Sequence, residues 1–293
     1  MKSMVVGIFG ICAGTAFGDL YASAGSNGTI RYYTMSTVDA STVLLSEGNS
    51  PNGVYEMCLA SDGELYAEAI FSVDRVDPVQ GTTEYLTGID GPCWSTGAIA
   101  AGDGVLYVGV GGPQCWTPFL VWNITSQEFT GWFEMAECFN PMVAAMRDDG
   151  LIIAVFYADP MVYALDPTNG GYAAIGKLPE GTQLESSAQD RVTGVTYMLG
   201  QLPEDPWSLY QFDLYTLELT WVGEVEPSDM FTIAAMPPCD ADFNADGELG
   251  ILDFVALQLA WKAGDDEADV NGDGVLDVLD FVAFHALFQE GCT

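Results

Sequence analysis

"GDLYAS" occupies residues 18–23, and the phrase returns four times in altered form: "GELYAEA" from residue 63, "GVLYVGV" from 104, "GLIIAVF" from 150 and "GVTYML" from 194. The interval is about 44 residues, the length of a four-stranded propeller blade. Each copy alternates with period two or forms a short apolar run rich in Val, Ile and Tyr, which predicts a strand. A strand of small residues stands just before it: "YEMCLAS", "TGAIAAG", "MVAAMRD" and "LESSAQD". Small side chains suit an innermost strand, where several strands crowd around one axis. A third strand follows and ends in a turn ("VYALDPTNGG", "LYQFDLYTLE"), and then a fourth ("TTEYLTG", "LTWVGEV").

The two ends of this region fix the number of blades. "MFTIAAM", residues 230–236, reads as an innermost strand with no second strand after it, whereas "GDLYAS" is a second strand with no innermost strand before it. Joined, they complete a fifth blade and leave no open sheet edge. The expectation is an all-β five-bladed β-propeller over residues 19–236. Asp39, Asp74, Asp166 and Asp213, with Asn123 in the remaining blade, recur late in the third strands. Such side chains bond their own backbone in Asx-turns, so a turn-forming role is expected of all five.

The charge balance narrows the partners. Of 293 residues, 42 are Asp or Glu and 7 are Lys or Arg, a formal net charge of -35. Such a surface repels phosphate backbones and anionic lipids and attracts cations, so no nucleic-acid partner is expected. Hydrophobic residues make up 49%, enough for a packed core. Residues 1–18 combine Lys2, an apolar run and small residues before Gly18, which reads as a signal peptide. No run is long enough to span a membrane as a helix, so a secreted or cell-surface protein without a transmembrane segment is expected. Cleavage removes Cys12 and leaves Cys58, Cys93, Cys115, Cys138, Cys239 and Cys292, an even set that suits disulfides in an exported protein. The pairing of the first four is not legible from spacing.

After Pro237-Pro238 the character changes. "DFNADGELGILDFV" (242–255) and "DVNGDGVLDVLDFV" (269–282) superpose with Asp242 on Asp269, Asn244 on Asn271, Asp246 on Asp273, Gly247 on Gly274 and Asp253 on Asp280. This is the spacing of a calcium loop: oxygens at positions 1, 3, 5, 7, 9 and 12, with glycine at 6 for the sharp turn. The predicted ligands are Asp242, Asn244, Asp246, the Glu248 carbonyl and Asp253 in the first loop. In the second they are Asp269, Asn271, Asp273, the Val275 carbonyl, Asp277 and Asp280. Gly250 stands where Asp277 does, leaving the first site one polar group short. Two Ca²⁺ ions are therefore expected, in a small α-helical module over residues 237–293. Each loop leads into a helix read as amphipathic, with Phe254, Leu257 and Trp261 packing against Phe281, Phe284 and Phe288.

Two loop–helix repeats with Asp at position 12 resemble a type I dockerin module. The closing "EGCT" is similar to the variant dockerin-like tails with a terminal Gly-Cys found on exported planctomycete proteins. The resemblance covers residues 239–293 and implies calcium-dependent folding and docking to a cohesin-like or surface-anchoring protein. Ile251-Leu252 and Val278-Leu279 depart from the Ser-Thr pair at positions 10 and 11 of many dockerins. Two antiparallel repeats bring the ends of such a module together, so a Cys239–Cys292 bridge is expected. His285, the only histidine, reads as a helix-face residue.

In the propeller, function is expected on the face where loops lead into the innermost strands. Glu56, Trp94, Asn140, Glu185 and Asp229 hold the leading positions, and Trp116 and Trp207 stand in loops of that face. Acids with aromatic rings suit a sugar: rings stack on apolar pyranose faces and carboxylates accept from hydroxyls. The expected role is a non-catalytic carbohydrate- or protein-binding component, with polysaccharide as one ligand class. The alternative is a dockerin-bearing glycoside hydrolase using Glu56, Glu185 and Asp229 as its carboxylates. A Ser-His-Asp triad is excluded from the body, which has no histidine.

Overall fold

The computed structural model describes residues 20–26, 29–49, 54, 56–69, 71–89, 94–111, 119–133, 141–156, 159–190, 193–226, 230–236, 239–244 and 249–290. Gly18–Pro237 forms one compact unit, and Pro238–Thr293 belongs to another. The expected signal segment and Pro237-Pro238 lie outside the described residues.

Among its described residues the larger unit holds twenty strands. They are β1 (Leu20–Ser26), β2 (Thr29–Met35) and β3 (Thr42–Asn49); then β4 (Glu56–Leu59), β5 (Leu65–Ala69), β6 (Ser72–Asp77) and β7 (Thr82–Gly88). Next come β8 (Trp94–Ala101), β9 (Val105–Gly111), β10 (Phe119–Asn123) and β11 (Glu128–Phe133). β12 (Pro141–Met146), β13 (Ile152–Phe156), β14 (Asp159–Leu165) and β15 (Tyr172–Lys177) follow. β16 (Gln183–Gln189), β17 (Thr196–Gln201), β18 (Ser208–Phe212), β19 (Leu219–Glu224) and β20 (Met230–Ala235) complete the set. Five four-stranded antiparallel sheets result: β20-β1-β2-β3 (blade 1), β4 to β7 (blade 2), β8 to β11 (blade 3), β12 to β15 (blade 4) and β16 to β19 (blade 5). The innermost strands touch in the closed order β4, β8, β12, β16, β20 and back to β4. This is a five-bladed β-propeller, and its first blade is built from both ends of the unit. Leu20 pairs with Ala235, Tyr21 with Ala234, Ala22 with Ile233 and Ser23 with Thr232.

Stability lies between blades. Each of the five interfaces has its own buried cluster: Leu20, Met35 and Ile233 against Leu199 and Leu209 between blades 1 and 5, for example. Val143, Ile153 and Val155 meet Leu184, Met198 and Phe212 between blades 4 and 5. Small residues of the innermost strands, including Ala100, Ala144, Ala145 and Ala234, close the axis around Met57 and Ile99. They leave a cavity of only about 20 Å³, room for about one water.

The third-to-fourth strand turns repeat with one geometry. Ser36, Asp77, Asn123, Asp166 and Asp213 each accept from the backbone two or three residues on. Four residues after each stands a left-handed residue: Ala40, Gly81, Gln127, Gly170 and Leu217. The Asx-turn role thus holds for Asn123, Asp166 and Asp213. Asp39 instead accepts from Ser41 at the end of its turn. Asp74 makes no turn at all: it lies buried within β6, and Asp77 takes the turn position.

The C-terminal unit has α1 (Ile251–Ala263), a short 3-10 turn at Asp266–Ala268 and α2 (Val278–Glu290). Gly264 closes α1 in the left-handed conformation, its N–H bonding the Ala260 and Trp261 carbonyls. Leu257, Ala268 and Phe284 form the buried centre. Phe254 meets Phe284 edge to face and Phe288 at a tilt, with centroids 4.9 Å apart in both cases, and Trp261 meets Phe281 at 5.9 Å. The helices are not amphipathic as expected. Ile251, Leu252, Val255 and Leu259 of α1 and Val278, Leu279 and Val282 of α2 are exposed, so apolar side chains stand on both faces.

Candidate functional site

At the leading ends of the innermost strands, four of the five carry a bulge. The register shifts between Ser95 and Ile99 in β8, Pro141 and Val143 in β12, Leu184 and Ser186 in β16, and Met230 and Thr232 in β20. A bulge turns its extra residue away from the ladder, and in β16 that residue is Glu185. Glu185 is exposed, while the protein packed around its carboxyl pushes its pKa up.

Glu56 stands on β4, which keeps an unbroken register over its described residues. Its side chain is fully buried and crosses to blade 5, where its carboxylate accepts from the Ser187 N–H at 2.8 Å. Around it the Thr232 hydroxyl accepts from the Met57 N–H at 2.9 Å, and the Ser186 hydroxyl from the Ile233 N–H at 2.8 Å. Glu68, its register partner on β5, is buried too. Burial pushes Glu56 well above the usual range, hydrogen bonds from Ser186 and Ser187 oppose that, and the Glu68 charge adds to it. The structure therefore separates two of the acids read together from sequence: Glu56 is an interior carboxyl tying blades 2 and 5, and Glu185 is on the surface.

Of the aromatic candidates, Trp207 is half-buried against the cluster between blades 1 and 5 and donates from Nε1 to the Met230 carbonyl at 3.1 Å. Trp94 opens β8, with its backbone alone described. Asp229, Trp116, Asn140, Cys93, Cys115 and Cys138 lie outside the described residues. Cys58 is half-buried and its Sγ donates to the Leu59 carbonyl at 3.6 Å. At the opposite end of the strands, an open cleft of about 420 Å³ runs between blades 4 and 5. Arg147 holds one wall, bridging Asp149 and lying over the Tyr215 ring at 4.8 Å. No pattern in the sequence marks it, because its lining comes from three separate turns.

In the second acid-rich loop, backbone N–H groups fix the side chains. The Asp269 carboxylate accepts from Asp273 at 3.1 Å and Gly274 at 2.7 Å, Asn271 Oδ1 from Asp273 at 2.9 Å, and Asp273 from Val275 at 2.8 Å. Gly274 has a φ of 81°, the left-handed turn that position 6 requires. Asp280, fully buried, accepts from Asn271 at 3.5 Å and Asp277 at 2.7 Å. Asp253, also fully buried, repeats this with Asn244 at 3.3 Å and Gly250 at 2.7 Å. Asp246, Gly247 and Glu248 lie outside the described residues. Among the described residues no three His, Cys, Asp or Glu side chains close on one point; the donor set of the second loop also draws on Asn271 and the Val275 carbonyl. Cys239 is disulfide-bonded, and Cys292 lies outside the described residues. No described helix is long and apolar enough to cross a membrane.

No protein-family model matches the chain, and no curated protein matches it. Among solved structures it is similar to a protein of unknown function from Bacteroides thetaiotaomicron, with 15% identity over 72% of this chain and 59% of that one and a TM-score of 0.47. A protein of unknown function from Bacteroides caccae is also 15% identical, over 70% of this chain and 73% of that one, with a TM-score of 0.46. TolB from Acinetobacter baumannii is 10% identical over 71% of this chain and 53% of that one, with a TM-score of 0.48. The chain thus spans 59% of the first of these structures and 53% of TolB. The five-bladed architecture rests on the strand order and pairing of the chain itself.

Proposed function

We propose that the protein is an exported binding component: a non-catalytic propeller carrying a calcium-dependent, dockerin-like docking module. The observation that carries this reading is the doubled geometry of the tail. In both loops a fully buried Asp at position 12 accepts from the N–H groups of positions 3 and 9. That arrangement ties loop to helix, and in the second loop Asp269, Asp273, Asp277 and Asp280 carry like charges that a hard cation would relieve. Asp269, Asn271, Asp273, the Val275 carbonyl, Asp277 and Asp280 would hold Ca²⁺ in the second loop, where it supplies charge neutralisation and a fixed turn. The exposed pairs Ile251-Leu252 and Val278-Leu279 support docking, since apolar side chains repeated on two helices offer a partner an area to cover. A cohesin-like or surface-anchoring protein is the partner class. Polysaccharide is the ligand class proposed for the propeller mouth. Glu56 weighs against a hydrolase, because a carboxyl sealed from solvent and held by Ser187 does not reach a glycosidic oxygen.

The test is calorimetric titration of the full chain with calcium, before and after Asp273→Ala and Asp280→Ala. The reading expects calcium heat that either substitution reduces. No calcium heat in the unsubstituted chain contradicts it.

A further inference from the structure

Blade 2 breaks a pattern of residue type that the other four blades share. In every blade the third and fourth strands shift register once, and the third-strand residue just past the shift is Tyr33, Trp122, Tyr163 or Tyr210 in four of them. In blade 2 it is Asp74. Three of these aromatic residues face the preceding blade: Trp122 packs on Tyr66 of blade 2 with centroids 5.2 Å apart, Tyr33 joins Leu199 and Leu209 of blade 5, and Tyr163 packs against the cluster shared with blade 3. Asp74 therefore puts a carboxylate where the fold elsewhere puts a ring.

The neighbours of that carboxylate are polar and dry. Ser23 pairs with Tyr32 across β1 and β2; Tyr32 shares a cluster with Ala67, which pairs with Asp74; Ser72 lies two residues before Asp74 on the same face. Relative exposures are 0% for Ser23 and Tyr32, 1% for Ser72 and 4% for Asp74. Ser23 Oγ, Tyr32 Oη and Asp74 Oδ1 each have no hydrogen-bond partner among the described residues, and Ser72 lies close enough to oppose the upward push that burial gives the Asp74 carboxyl. The adjacent base, Arg75, is bound to Glu84, and among the described residues no ion pair to Asp74 is found. Burial, helped by the Asp74 and Asp77 charges, pushes the Tyr32 hydroxyl up, so it stays protonated and offers a neutral oxygen. Buried carboxylates persist when they are paired or hold a metal, and unsatisfied buried oxygens on facing strands call for an explanation, an unseen ion among them.

We propose that this slot is a binding site for a hard, singly charged cation of the sodium class, held between blades 1 and 2 by Asp74 with Ser23, Ser72 and Tyr32. All four donors are oxygens, which excludes a preference for soft metals. One carboxylate neutralises one positive charge, whereas a divalent ion would leave a net charge in the interior. The site joins the blade that closes the ring to its neighbour, so occupancy stabilises the propeller. The inference stands apart from the reading of the tail.

The experiment follows thermal unfolding of the β-sheet circular dichroism signal of the full chain in chelator, with sodium exchanged for choline at constant ionic strength. Ligand linkage expects the midpoint to climb with the logarithm of sodium concentration once the site saturates. Asp74→Asn should flatten that dependence. Asp74→Tyr, which restores the residue type of the other blades, should fold and be equally insensitive. Identical midpoints in sodium and choline would overturn the site and leave only water in the slot. A rise that depends on Asp74 but occurs with added calcium alone, in the absence of chelator, would overturn the single-charge assignment.

Discussion

Glu56 shows how a side chain that looks catalytic in a sequence becomes structural in a fold. Its raised pKa means that the folded protein holds the proton more tightly than the unfolded chain does. Its contribution to stability is therefore fully present below the ordinary glutamate range and is lost as pH rises through the raised value. Glu56→Gln keeps an oxygen for the Ser187 N–H and removes the titration. The unfolding midpoint of this variant should gain on the unsubstituted protein as pH rises from about 4 to 8; two parallel curves would contradict the assignment. Gln127 offers a second residue-scale test. It is exposed and left-handed, with a φ of 54°, where glycine pays no steric penalty. Gln127→Gly should stabilise by about 0.5–1 kcal/mol in denaturant melts, and Gln127→Val should destabilise. The repeated phrases made the strands legible, but not these roles. A period-two pattern reports which face a residue takes, not whether a neighbouring blade covers it. Asp74 looked like Asp166 and Asp213 because all sit near the end of a third strand; a three-residue difference in register put Asp77 in the turn and Asp74 in the interior.

At the scale of elements, closure by β20 was readable because both half-blades lacked a strand that the other supplied. The β20 side of that joint contributes Ile233 and Met230 to the cluster shared by blades 1 and 5. A chain ending before Pro237 should keep its β signal, whereas removing residues 230–236 as well should abolish cooperative unfolding, because blade 1 loses its innermost strand and its neighbours lose that packing. Equal melts for the two would refute the joint. Ile233→Ala, fully buried, should cost about 2–4 kcal/mol. The bulges in β8, β12, β16 and β20 left no trace in the sequence, since one extra residue in a short strand does not disturb its composition. The helix faces of the tail were misread for a related reason: both helices are apolar nearly all round, and periodicity alone does not say which side is covered.

At the scale of the whole molecule, the two units differ in how much core each buries. The propeller closes on itself through five interfaces, each with a buried apolar cluster, and the one between blades 1 and 2 also holds the cation inferred at Asp74. The tail has a small buried centre of Leu257, Ala268 and Phe284, too little to hold some fifty residues without help. If Ca²⁺ supplies that help, the units must respond separately to its removal. The direct measurement is far-UV circular dichroism of the full chain during chelation and calcium add-back. The account predicts loss and recovery of the helical signal with the β signal unchanged, and a weaker dependence on Asp246→Ala than on Asp273→Ala because Gly250 leaves the first loop a ligand short. Helices that survive chelation intact would contradict it.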